Sequence, residues 1–526
     1  MRWTAPPPEP CVRAPNTSVS ELGHRVASAF VTDNLYTTLC TAWTPRADAA
    51  FLRLSDTSVL TFSDIDRLSA QHATVLDRCG VAVGDRVVAQ VPKTPSAVAL
   101  YLACLRLGAV YVPLNEAYTF DELAYFVDDA RPTVVVLVPG RLLPPGTAAT
   151  LLTLDEHGGG SLPDRAAACE PLTTIVPRVD DDIAAMLYTS GTTGKPKGAM
   201  LTTANLRSNA LTLTEMWGFG SDDVLVHALP IFHVHGLFIA LHCAMLSACE
   251  VRFLPRFEVH AVREALREAT VMMGVPTFYS RLLSAADFGV ADCASMRLFI
   301  SGSAPLTETV HQTFAERTGH HILERYGMTE TGMITSNPLH GERIAGTVGY
   351  ALADVQIRVV DDGGMPCQDG TVGVVEVLGP NVFAGYWDMP DKTAAAFGED
   401  GWFSTGDLGS LGPDGRLTLA GRGTDLIISG GLNIYPKEIE LLLDEIAGVE
   451  ESAVIGVPHP DLGDAVVAVL VAAEDFDVSA VAAVLNGRLA RFKHPKHVEV
   501  VRELPRNAMG KVEKAVLRRT HEHRFT

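Results

Sequence analysis

Short apolar runs alternate with helical patterns along most of this chain, and this alternation limits its fold more than any other feature. Between about residues 31 and 180, runs such as "RVVAQVP" and "PTVVVLVP" flank the helical pattern "SAVALYLACLRLG". Strands that alternate with helices imply parallel sheet built from crossover units. The same rhythm continues in "DVLVHALP", "AVREALREA", "TVMMGVP" and "RLFISGSAPL". The sequence therefore predicts an α/β chain, α+β overall, whose large first domain holds two layered αβ sheet subdomains.

The character of the sequence changes from about residue 347. Segments such as "VQIRVVDDGGMP" and "GVVEVLGPNVF" are short strands separated by Gly, Asp and Pro turns, which predicts an antiparallel, β-barrel-like subdomain. The last hundred residues predict a small αβ domain, and the Gly-rich segment "AGRGTDLIISGG" joins it to the rest. We therefore expect a poorly ordered extension at 1–30, a large domain at 31–421 and a small mobile domain at 422–526.

Charge and cysteine content narrow the class of protein. The formal net charge is −20, whereas a nucleic-acid binder normally presents a basic surface. The nine cysteines form no CxxC spacing, which predicts reduced thiols. The opening residues, "MRWTAPPPEPCVRAP", lack the apolar core of a secretory signal. We expect a cytoplasmic protein, or a mitochondrial matrix protein if this extension is a transit peptide.

One stretch is long enough to be tested as a membrane helix. Residues 224–249 form a run of 26 residues without Asp, Glu, Lys or Arg. The run contains Pro230, Gly236 and histidines such as His233, whose polar groups cost free energy in hydrocarbon. We expect a buried strand, loop and helix here and no membrane span.

The segment "LYTSGTTGKPKGAML", at 187–201, has the composition of a phosphate-binding loop. Gly191 and Gly194 allow a tight turn with several N–H groups directed at an anion. Pro196 stands where the helix of a Walker A loop would begin, so the segment is not of that type. A solvated turn is the alternative, and it would explain a shorter stretch better. The hydroxyl and ammonium groups that the loop offers to phosphate are those of Thr189, Ser190, Thr192, Thr193, Lys195 and Lys197.

This loop resembles the signature loop of the acyl-adenylate-forming enzymes, which include acyl- and aryl-CoA synthetases. The other motifs of that family follow in the expected order: "ISGSAPL" (300–306), "RYGMTETG" (325–332), "STGDLG" (404–409), "GRGTDLIISGG" (421–431) and "PRNAMGKVEK" (505–514). Each motif alone is weak, and Asp407 or Lys511 in isolation would more often be a turn or surface residue. Five motifs in order identify the chain as a member.

The resemblance implies a nucleotide site whose ligands are ATP, Mg²⁺ and coenzyme A. Tyr326 would stack on adenine, Asp407 would accept hydrogen bonds from the ribose, and Thr329 would hold the α-phosphate. Glu330 and Thr189 would bind Mg²⁺. The remaining residues implied for ATP or AMP are the loop residues at 189–195 and Lys197, together with Ser301, Gly302, Ser303, Ala304, Pro305, Arg325, Gly327, Met328 and Arg422.

Catalysis in such a site depends on positioning and on electrostatic stabilisation, because two anions must be brought together. The resemblance implies that Lys511 bridges the carboxylate and the α-phosphate, with Glu330, Thr329 and His233 as the other catalytic residues. The small domain would then rotate about Thr424 and admit coenzyme A along Ser429, Gly430 and Gly431. The family usually has Asp or Lys at the hinge position, so the polar contacts of Thr424 differ.

The acid-binding region resembles that of the malonyl-CoA synthetases, in "LPIFHVHG", "FYSRLL" and "GERIAG". A dicarboxylate has a second anion that must be paired once it is desolvated. Arg343 is our leading partner for that anion, with Arg281 and Arg256 as alternatives. His235 would also line the acid site, as would Met328. For His233 and His235 the alternatives are a gating side chain or a satisfied core histidine.

The resulting prediction is an ATP-dependent, AMP-forming ligase that converts malonate, with methylmalonate as a second acid, to the CoA thioester. The alternative is a CoA ligase for an uncharged short- or medium-chain acid. A non-catalytic regulator with this fold would be expected to lack Lys511 or Glu330, and both are present. The expected partners are malonate, ATP and coenzyme A, with no nucleic acid. The setting of Lys511 also resembles acetylated lysines, which would make a lysine acetyltransferase and deacetylase further partners.

Overall fold

A computed structural model of the chain describes residues 34–189, 196–429, 432–460, 462–473, 475–486, 488–507 and 510–525. The extension predicted at 1–30 lies outside the described residues. So do the predicted site residues Ser190, Gly191, Thr192, Thr193, Gly194, Lys195, Gly430 and Gly431.

The helices are distributed along the whole described chain, and the one π-helical segment in it runs over His235–Leu241. In chain order the α-helices are α1 (Leu35–Trp43), α2 (Phe62–Arg78), α3 (Pro95–Leu107), α4 (Phe120–Ala130), α5 (Ser161–Ala167), α6 (Thr203–Met216), α7 (His242–Ser247), α8 (Val259–Leu266), α9 (Pro276–Leu283), α10 (Glu308–Thr318), α11 (Pro390–Ala396), α12 (Pro436–Leu443), α13 (Ser479–Leu485) and α14 (Lys514–His521).

The strands are short in the first part of the chain and longest in the last. Up to the predicted boundary they are β1 (Ala50–Arg53), β2 (Val59–Thr61), β3 (Arg86–Gln90), β4 (Val110–Pro113), β5 (Val134–Leu137), β6 (Thr150–Thr153), β7 (Ile183–Thr189), β8 (Lys197–Thr202), β9 (Val224–His227), β10 (Glu250–Phe253), β11 (Val271–Gly274), β12 (Leu298–Ser301), β13 (Leu323–Met328), β14 (Gly332–Ser336), β15 (Tyr350–Ala351), β16 (Gln356–Val360), β17 (Gly373–Leu378), β18 (Gly385–Tyr386), β19 (Phe403–Leu411) and β20 (Leu417–Arg422). Beyond it they are β21 (Ile427–Ser429), β22 (Leu432–Ile434), β23 (Val449–His459), β24 (Gly463–Ala472) and β25 (His497–Val501).

Two large sheets confirm the predicted layered α/β class. Nine strands pair in the order β15-β14-β13-β12-β11-β9-β10-β1-β2, and seven pair in the order β18-β8-β7-β4-β3-β5-β6. The strands from β9 to β13 that are neighbours in the first sheet pair in parallel, as do β3, β4 and β5 in the second. Parallel strands end at one edge of a sheet, where ligand sites of α/β folds lie.

Helix α3 shows how the local sequence builds the core beneath the site. Thr94 caps it, Pro95 occupies its first turn, and Gly108 ends it in the left-handed conformation at φ 69°. The helix is apolar on nearly every face and is buried along almost its whole length. Its Tyr101 hydroxyl lies 2.8 Å from Nε2 of His242, at the end of the π-helix. Packing of α3 therefore supports the segment that follows "LPIFHVHG".

The antiparallel strands predicted after residue 347 are present, but they form an open sheet. β16, β17, β19 and β20 pair in that order, and within the described residues β16 and β20 do not pair with each other. The subdomain is thus an antiparallel sheet and not a closed barrel. Closure would require its two edge strands to meet.

The chain changes sheet at the predicted domain boundary. β20 ends at Arg422, a short 3₁₀ turn covers Gly423–Asp425, and β21 then joins a separate sheet with β22, β23, β24 and β25. Its apolar side chains form their own core on α12 and α13. We propose on this basis that the small domain begins at 422 and moves as a unit.

The stretch at 224–249 forms strand β9, a loop, the π-helix and α7, as predicted. None of the helices in the described ranges is long and apolar enough to cross a bilayer.

Candidate active site

A cavity of about 510 Å³ lies where the nine-stranded sheet, the four-stranded sheet and the small domain meet. Sequence-predicted residues from both sides of the domain boundary line it. From the large domain these are Ser301, Gly302, Ser303, Ala304, Pro305, Arg325, Tyr326, Gly327 and Asp407, and from the small domain, proposed above to begin at 422, they are Arg422 and Lys511. Residues that are far apart in the chain, and that were predicted separately, therefore face one space.

Three of these residues form a polar chain. The Tyr326 hydroxyl donates to Oδ2 of Asp407 at 2.6 Å, and Nε of Arg422 lies 3.0 Å from Oδ1 of the same carboxylate. Asp407 and Arg422 face each other across β19 and β20, so the sheet register brings them together. Burial opposes the charge of Arg422, but Asp407, Tyr326 and Glu330 outweigh it and raise the pKa of the guanidinium. The arrangement fixes one carboxylate and one aromatic ring at the wall of the cavity.

Lys511 enters the cavity from a tight loop of the small domain. Its N–H donates to Oδ1 of Asn507 at 3.0 Å, and its carbonyl accepts from the N–H of Asn507 at 3.0 Å. Burial and the nearby charge of Arg422 lower the pKa of Lys511, while Asp407 and Asp425 oppose that shift. The ammonium is therefore within electrostatic reach of the Asp407 carboxylate in this arrangement of the domains.

Glu330 and Thr189 approach each other at the edge of the seven-stranded sheet. Thr189 ends β7, and its hydroxyl lies 3.4 Å from Oε1 of Glu330. Glu330 is only 5% exposed, and its other partner on Oε1 is the hydroxyl of Tyr386, at 3.0 Å. Lys197, at the start of β8, places its ammonium 4.0 Å from the centre of the Tyr386 ring. Burial lowers the pKa of Lys197 and Glu330 opposes this.

A carboxylate and a hydroxyl oxygen match the ligands that Mg²⁺ takes in nucleotide sites, where substrate phosphates complete the coordination. Within the described part of the chain, no group of three or more His, Cys, Asp or Glu side chains could hold a metal without such help. Glu330 with Thr189 therefore fits a metal ion that arrives with a nucleotide.

Arg325 is a buried guanidinium with unused hydrogen-bonding capacity. It is 3% exposed, and its Nε and Nη2 have no hydrogen-bond partner among the described residues. Burial lowers its pKa to about 9, which leaves it cationic at neutral pH. Its side chain lies against Gly302, and nearby Ser301 has a buried hydroxyl that also lacks a partner. An unpaired buried cation at a cavity wall can receive an anion.

His233 and His235 stand near this guanidinium. Burial, reinforced by Arg325, lowers the pKa of His233 to about 4 and that of His235 well below its usual range. Nδ1 of His235 lies 3.3 Å from the hydroxyl of Ser303, and its Nε2 has no partner among the described residues. Ser303 has a φ of 71°, in the left-handed region, which is unusual for a residue with a side chain. Both imidazoles are neutral hydrogen-bonding groups.

The prediction that Arg343 holds the acid does not agree with this geometry. Its three guanidinium nitrogens donate to the backbone carbonyls of Pro338, His321 and Leu339, at 3.2, 2.6 and 2.8 Å. Arg343 is outside the cavity lining. Of the two alternatives, Arg256 is exposed and paired with Glu258 at 2.7 Å, whereas Arg281 lines the cavity.

Other predicted residues lie nearer the margins. Met328 and Thr329 are half-buried in and after the end of β13, in the turn that leads to Glu330. Thr424 is exposed in the 3₁₀ turn between the domains, and Ser429 is buried at the end of β21.

The sequence analysis did not predict two residues of this region, Tyr386 and Glu324. Tyr386 lies in the strand β18 next to Glu330, and its signal would have been the aromatic pair in "FAGYWDMP". Glu324 precedes Arg325 and lines the cavity, and burial raises the pKa of its carboxyl to about 8. Its signal would have been two adjacent charges inside a buried strand.

Models of two protein families match the chain. The model described as AMP-binding enzyme matches residues 41–387, and the model described as AMP-binding enzyme C-terminal domain matches residues 438–511. The chain belongs to the AMP-binding enzyme family. It is an AMP-forming acid–CoA ligase, with ATP and coenzyme A as substrates, and the predicted superfamily is confirmed.

Relatives of this ligase act on different acids. The malonate–CoA ligase of Arabidopsis thaliana is 38% identical over 79% of this chain and 74% of its own length. A feruloyl-CoA synthase of an Amycolatopsis species is 35% identical over 88% of this chain and 94% of its own. Crystal structures of MatB from Rhodopseudomonas palustris are 46% identical and cover 94% of this chain and 100% of theirs. The ATP-bound MatB structure superposes with a TM-score of 0.92 and the apo structure with 0.82.

Proposed function

We propose that this ligase joins malonate to coenzyme A, with methylmalonate as a second acid. In the first half-reaction a carboxylate oxygen of malonate attacks the α-phosphorus of ATP, the malonyl–AMP anhydride forms and pyrophosphate leaves. In the second, the sulfur of coenzyme A attacks the activated carbonyl carbon and loses its proton, and AMP leaves with the pair of electrons of the broken bond.

The observation that carries this proposal is the buried guanidinium of Arg325, two of whose nitrogens have no hydrogen-bond partner in the part of the chain that the structure describes. An uncharged acyl chain would leave that buried cation unpaired, at a cost of several kcal/mol. The free carboxylate of malonate, by contrast, can accept hydrogen bonds from both nitrogens in a forked geometry. Arg325 follows directly on Glu324 and precedes Tyr326 in β13, so the acid end and the adenine end of the site share one strand.

His233 and His235 support this assignment through their charge state. Because burial and Arg325 hold their pKa values below the usual range, they add hydrogen-bonding groups beside Arg325 without adding cations. We infer that they line the acid site, and that Met328 limits substituents at the second carbon of the acid by its bulk.

The nucleotide roles follow from the polar chain at the cavity wall. We assign the ring of Tyr326 to adenine and the Asp407 carboxylate to the ribose hydroxyls, with Thr329 near the α-phosphate. Lys511 would lie between the two anions that react, where a cation offsets their repulsion. No base is required for this step, since malonate is already ionised.

A metal ion on Glu330 and Thr189 is part of the proposal. Mg²⁺ bound there would neutralise phosphate charge. Lys197 would add a cation to the same phosphates.

The second half-reaction requires Lys511 to leave and coenzyme A to enter. We propose that the small domain rotates about Thr424, which is exposed in the turn between the two sheets. The rotation would bring the segment of Ser429 toward the thioester. The higher TM-score to ATP-bound MatB than to apo MatB supports the view that the present arrangement is the one suited to the first half-reaction.

Sequence similarity alone does not identify the acid that this ligase uses. The names of the Arabidopsis relative and of an Amycolatopsis relative point to malonate and to ferulate, at 38% and 35% identity. The buried charge of Arg325 supports malonate over ferulate, because ferulate offers no second carboxylate to this guanidinium.

The test is thioester formation with ATP, coenzyme A and a panel of malonate, methylmalonate, succinate, propionate and ferulate. We expect malonate to have the highest kcat/KM. Arg325→Met should lower kcat/KM for malonate about 100-fold, which corresponds to about 2.7 kcal/mol. For propionate it should leave kcat/KM unchanged or raised, because the desolvated cation is gone.

Arg343→Lys is the matched control, since Arg343 donates only to backbone carbonyls outside the cavity. It should leave the order of acids unchanged. Equal use of malonate and propionate by the parent enzyme, or an Arg325→Met variant with the parent's preference, would contradict the proposal and favour a ligase for an uncharged acid.

Two further predictions concern covalent modification of the enzyme and its location in the cell. Acetylation of Lys511 by a lysine acetyltransferase would remove its charge and stop the first half-reaction. The cytoplasmic or mitochondrial location stays a prediction from the sequence of the extension.

A further inference from the structure

Tyr386 contacts both Glu330, the proposed metal ligand, and Lys197, a proposed phosphate ligand. Its hydroxyl donates to Oε1 of Glu330 at 3.0 Å, and the face of its ring lies 4.0 Å from the ammonium of Lys197. Tyr386 is 6% exposed and Glu330 is 5% exposed, so the hydrogen bond between them is buried, whereas Lys197 is half-buried. One side chain thus contacts the proposed metal ligand and a proposed phosphate ligand.

The backbone around Tyr386 holds this position firmly. The N–H of Tyr386 donates to the hydroxyl of Thr393 at 2.9 Å, and Gly385 and Tyr386 pair with β8, the strand that begins at Lys197. Phe383, three residues earlier, donates its N–H to the carbonyl of Glu330 at 2.8 Å. The same short segment therefore fixes both the backbone and the carboxylate of Glu330.

Lys197 and Glu330 attract each other but do not meet. The carboxylate of Glu330 favours the charged form of the Lys197 ammonium, yet these two described residues form no ion pair within 4.0 Å. An ammonium that paired directly with Glu330 would occupy the oxygen needed for a metal ion. The ring of Tyr386 holds the ammonium by a cation–π contact, and its hydroxyl donates to the carboxylate.

We propose that Tyr386 is a positioning residue for the metal site: it orients the Glu330 carboxylate toward the metal and keeps Lys197 from pairing with it. The inference rests on the metal role proposed for Glu330 and is independent of which acid the enzyme uses. Hydrogen-bonded partners of metal ligands commonly change metal affinity 10- to 100-fold when they are removed.

The test measures metal binding without turnover. Mn²⁺ affinity is measured by electron paramagnetic resonance with the full-length enzyme and α,β-methylene-ATP, whose α–β bridge cannot be cleaved, and with no acid present. Tyr386→Phe removes only the hydroxyl, and we expect about tenfold weaker Mn²⁺ binding. Tyr386→Leu also removes the ring, and we expect a larger loss because Lys197 can then pair with Glu330. Affinity for the analogue in the presence of EDTA should stay within twofold of the parent for Tyr386→Phe.

Tyr350 provides a matched control elsewhere in the fold. Its hydroxyl donates to a carboxylate, Oδ2 of Asp414, at 3.1 Å, and a cation lies over its ring, since Cζ of Arg416 is 4.9 Å from the ring centre. Tyr350→Phe removes a bond of the same kind far from Glu330 and should leave Mn²⁺ affinity unchanged.

A double-mutant cycle separates this inference from the proposal on which it rests. Glu330→Gln alone should weaken Mn²⁺ binding, and Tyr386→Phe should add no further loss in that background. If Glu330→Gln binds Mn²⁺ as the parent does, the metal role of Glu330 is wrong. If Glu330→Gln weakens binding but Tyr386→Phe does not, or if Tyr350→Phe weakens it equally, the positioning role of Tyr386 is wrong.

Discussion

Gly302 and Arg325 are in such close contact that a Cβ atom on Gly302 would lie 2.5 Å from Nη1 and 2.6 Å from Nε of the guanidinium. The glycine is therefore part of the surface on which Arg325 rests. We expect Gly302→Ala to displace the guanidinium and to raise the KM for malonate about tenfold or more, with a smaller effect on the KM for ATP. Steady-state kinetics with each substrate varied in turn provide the measurement.

Gly220 is a suitable control for that substitution, because a Cβ there would meet nothing within 4 Å. Gly220→Ala should leave both KM values unchanged. Parent-like malonate kinetics in a folded Gly302→Ala variant would show that the position of Arg325 does not matter to the acid.

Asp407 is predicted to serve the nucleotide and not the acid. Asp407→Asn keeps the shape of the side chain but weakens its bonds to Tyr326 and Arg422 and to a ribose. We expect the KM for ATP to rise roughly 10- to 100-fold, with little change in the KM for malonate. Asp414→Asn is the control, since Asp414 also contacts a tyrosine and an arginine, Tyr350 and Arg416, but in an exposed position. A change confined to the acid would count against this assignment.

Lys511 is predicted to act in one half-reaction only. Lys511→Ala should abolish pyrophosphate release from ATP and malonate, because no cation then offsets the repulsion between the reacting anions. The same variant should convert supplied malonyl-AMP and coenzyme A to malonyl-CoA at close to the parent rate. Quenched-flow assays of the two steps, run separately, give the comparison, and equal damage to both would argue against domain rotation.

Glu324 is predicted to make stability depend on pH. Burial raises its pKa from 4.5 to about 8. Between these values the folded protein keeps a proton that the unfolded chain releases, so stability is full below about pH 4.5 and falls as pH rises through 8. Glu324→Gln cannot ionise and should remove a loss on the order of 5 kcal/mol.

Thermal melts at pH 5 and pH 8.5 check this prediction. The melting temperature of Glu324→Gln should exceed that of the parent at pH 8.5 and match it at pH 5. Glu399→Gln, at an exposed position, should show no such difference. A gain of equal size at both pH values would mean that the carboxyl does not titrate in this range.

Residues predicted from contiguous motifs lie together in the structure, while their roles stay predictions. Tyr326, Asp407 and Lys511 were each identified from a few neighbouring residues, and all three line one cavity. The layered α/β class followed from the alternation of strands and helices, which is a local property of the chain. Such features need no knowledge of how distant segments pack.

The direction of a single side chain could not be predicted in the same way. Arg343 was favoured for the acid because it follows the "YGMTET" motif, but the carbonyls of Pro338, His321 and Leu339 take all of its guanidinium nitrogens. Arg325, within a motif assigned to the nucleotide, is the arginine with free nitrogens at the cavity wall. The two arginines differ in how their side chains pack. Arg325 lies against Gly302, whereas Arg343 donates to backbone carbonyls.

Long-range pairing explains the other differences. Tyr386 reaches Glu330 because β18, a strand of two residues, pairs with β8, a contact for which the sequence carries no periodic signal. The barrel-like prediction was too specific for the same reason. Turns and alternation identify antiparallel strands, but whether the edge strands meet depends on twist and register.

The cavity is lined by residues of both domains, so an inhibitor could act on it without competing with any substrate. We expect a small molecule or a cross-link that holds the two domains apart beside Lys511 to stop turnover while every group on the large domain stays in place. Such inhibitors would not need to resemble ATP or the acid. We expect substitutions that confer resistance to them to lie where the two domains meet.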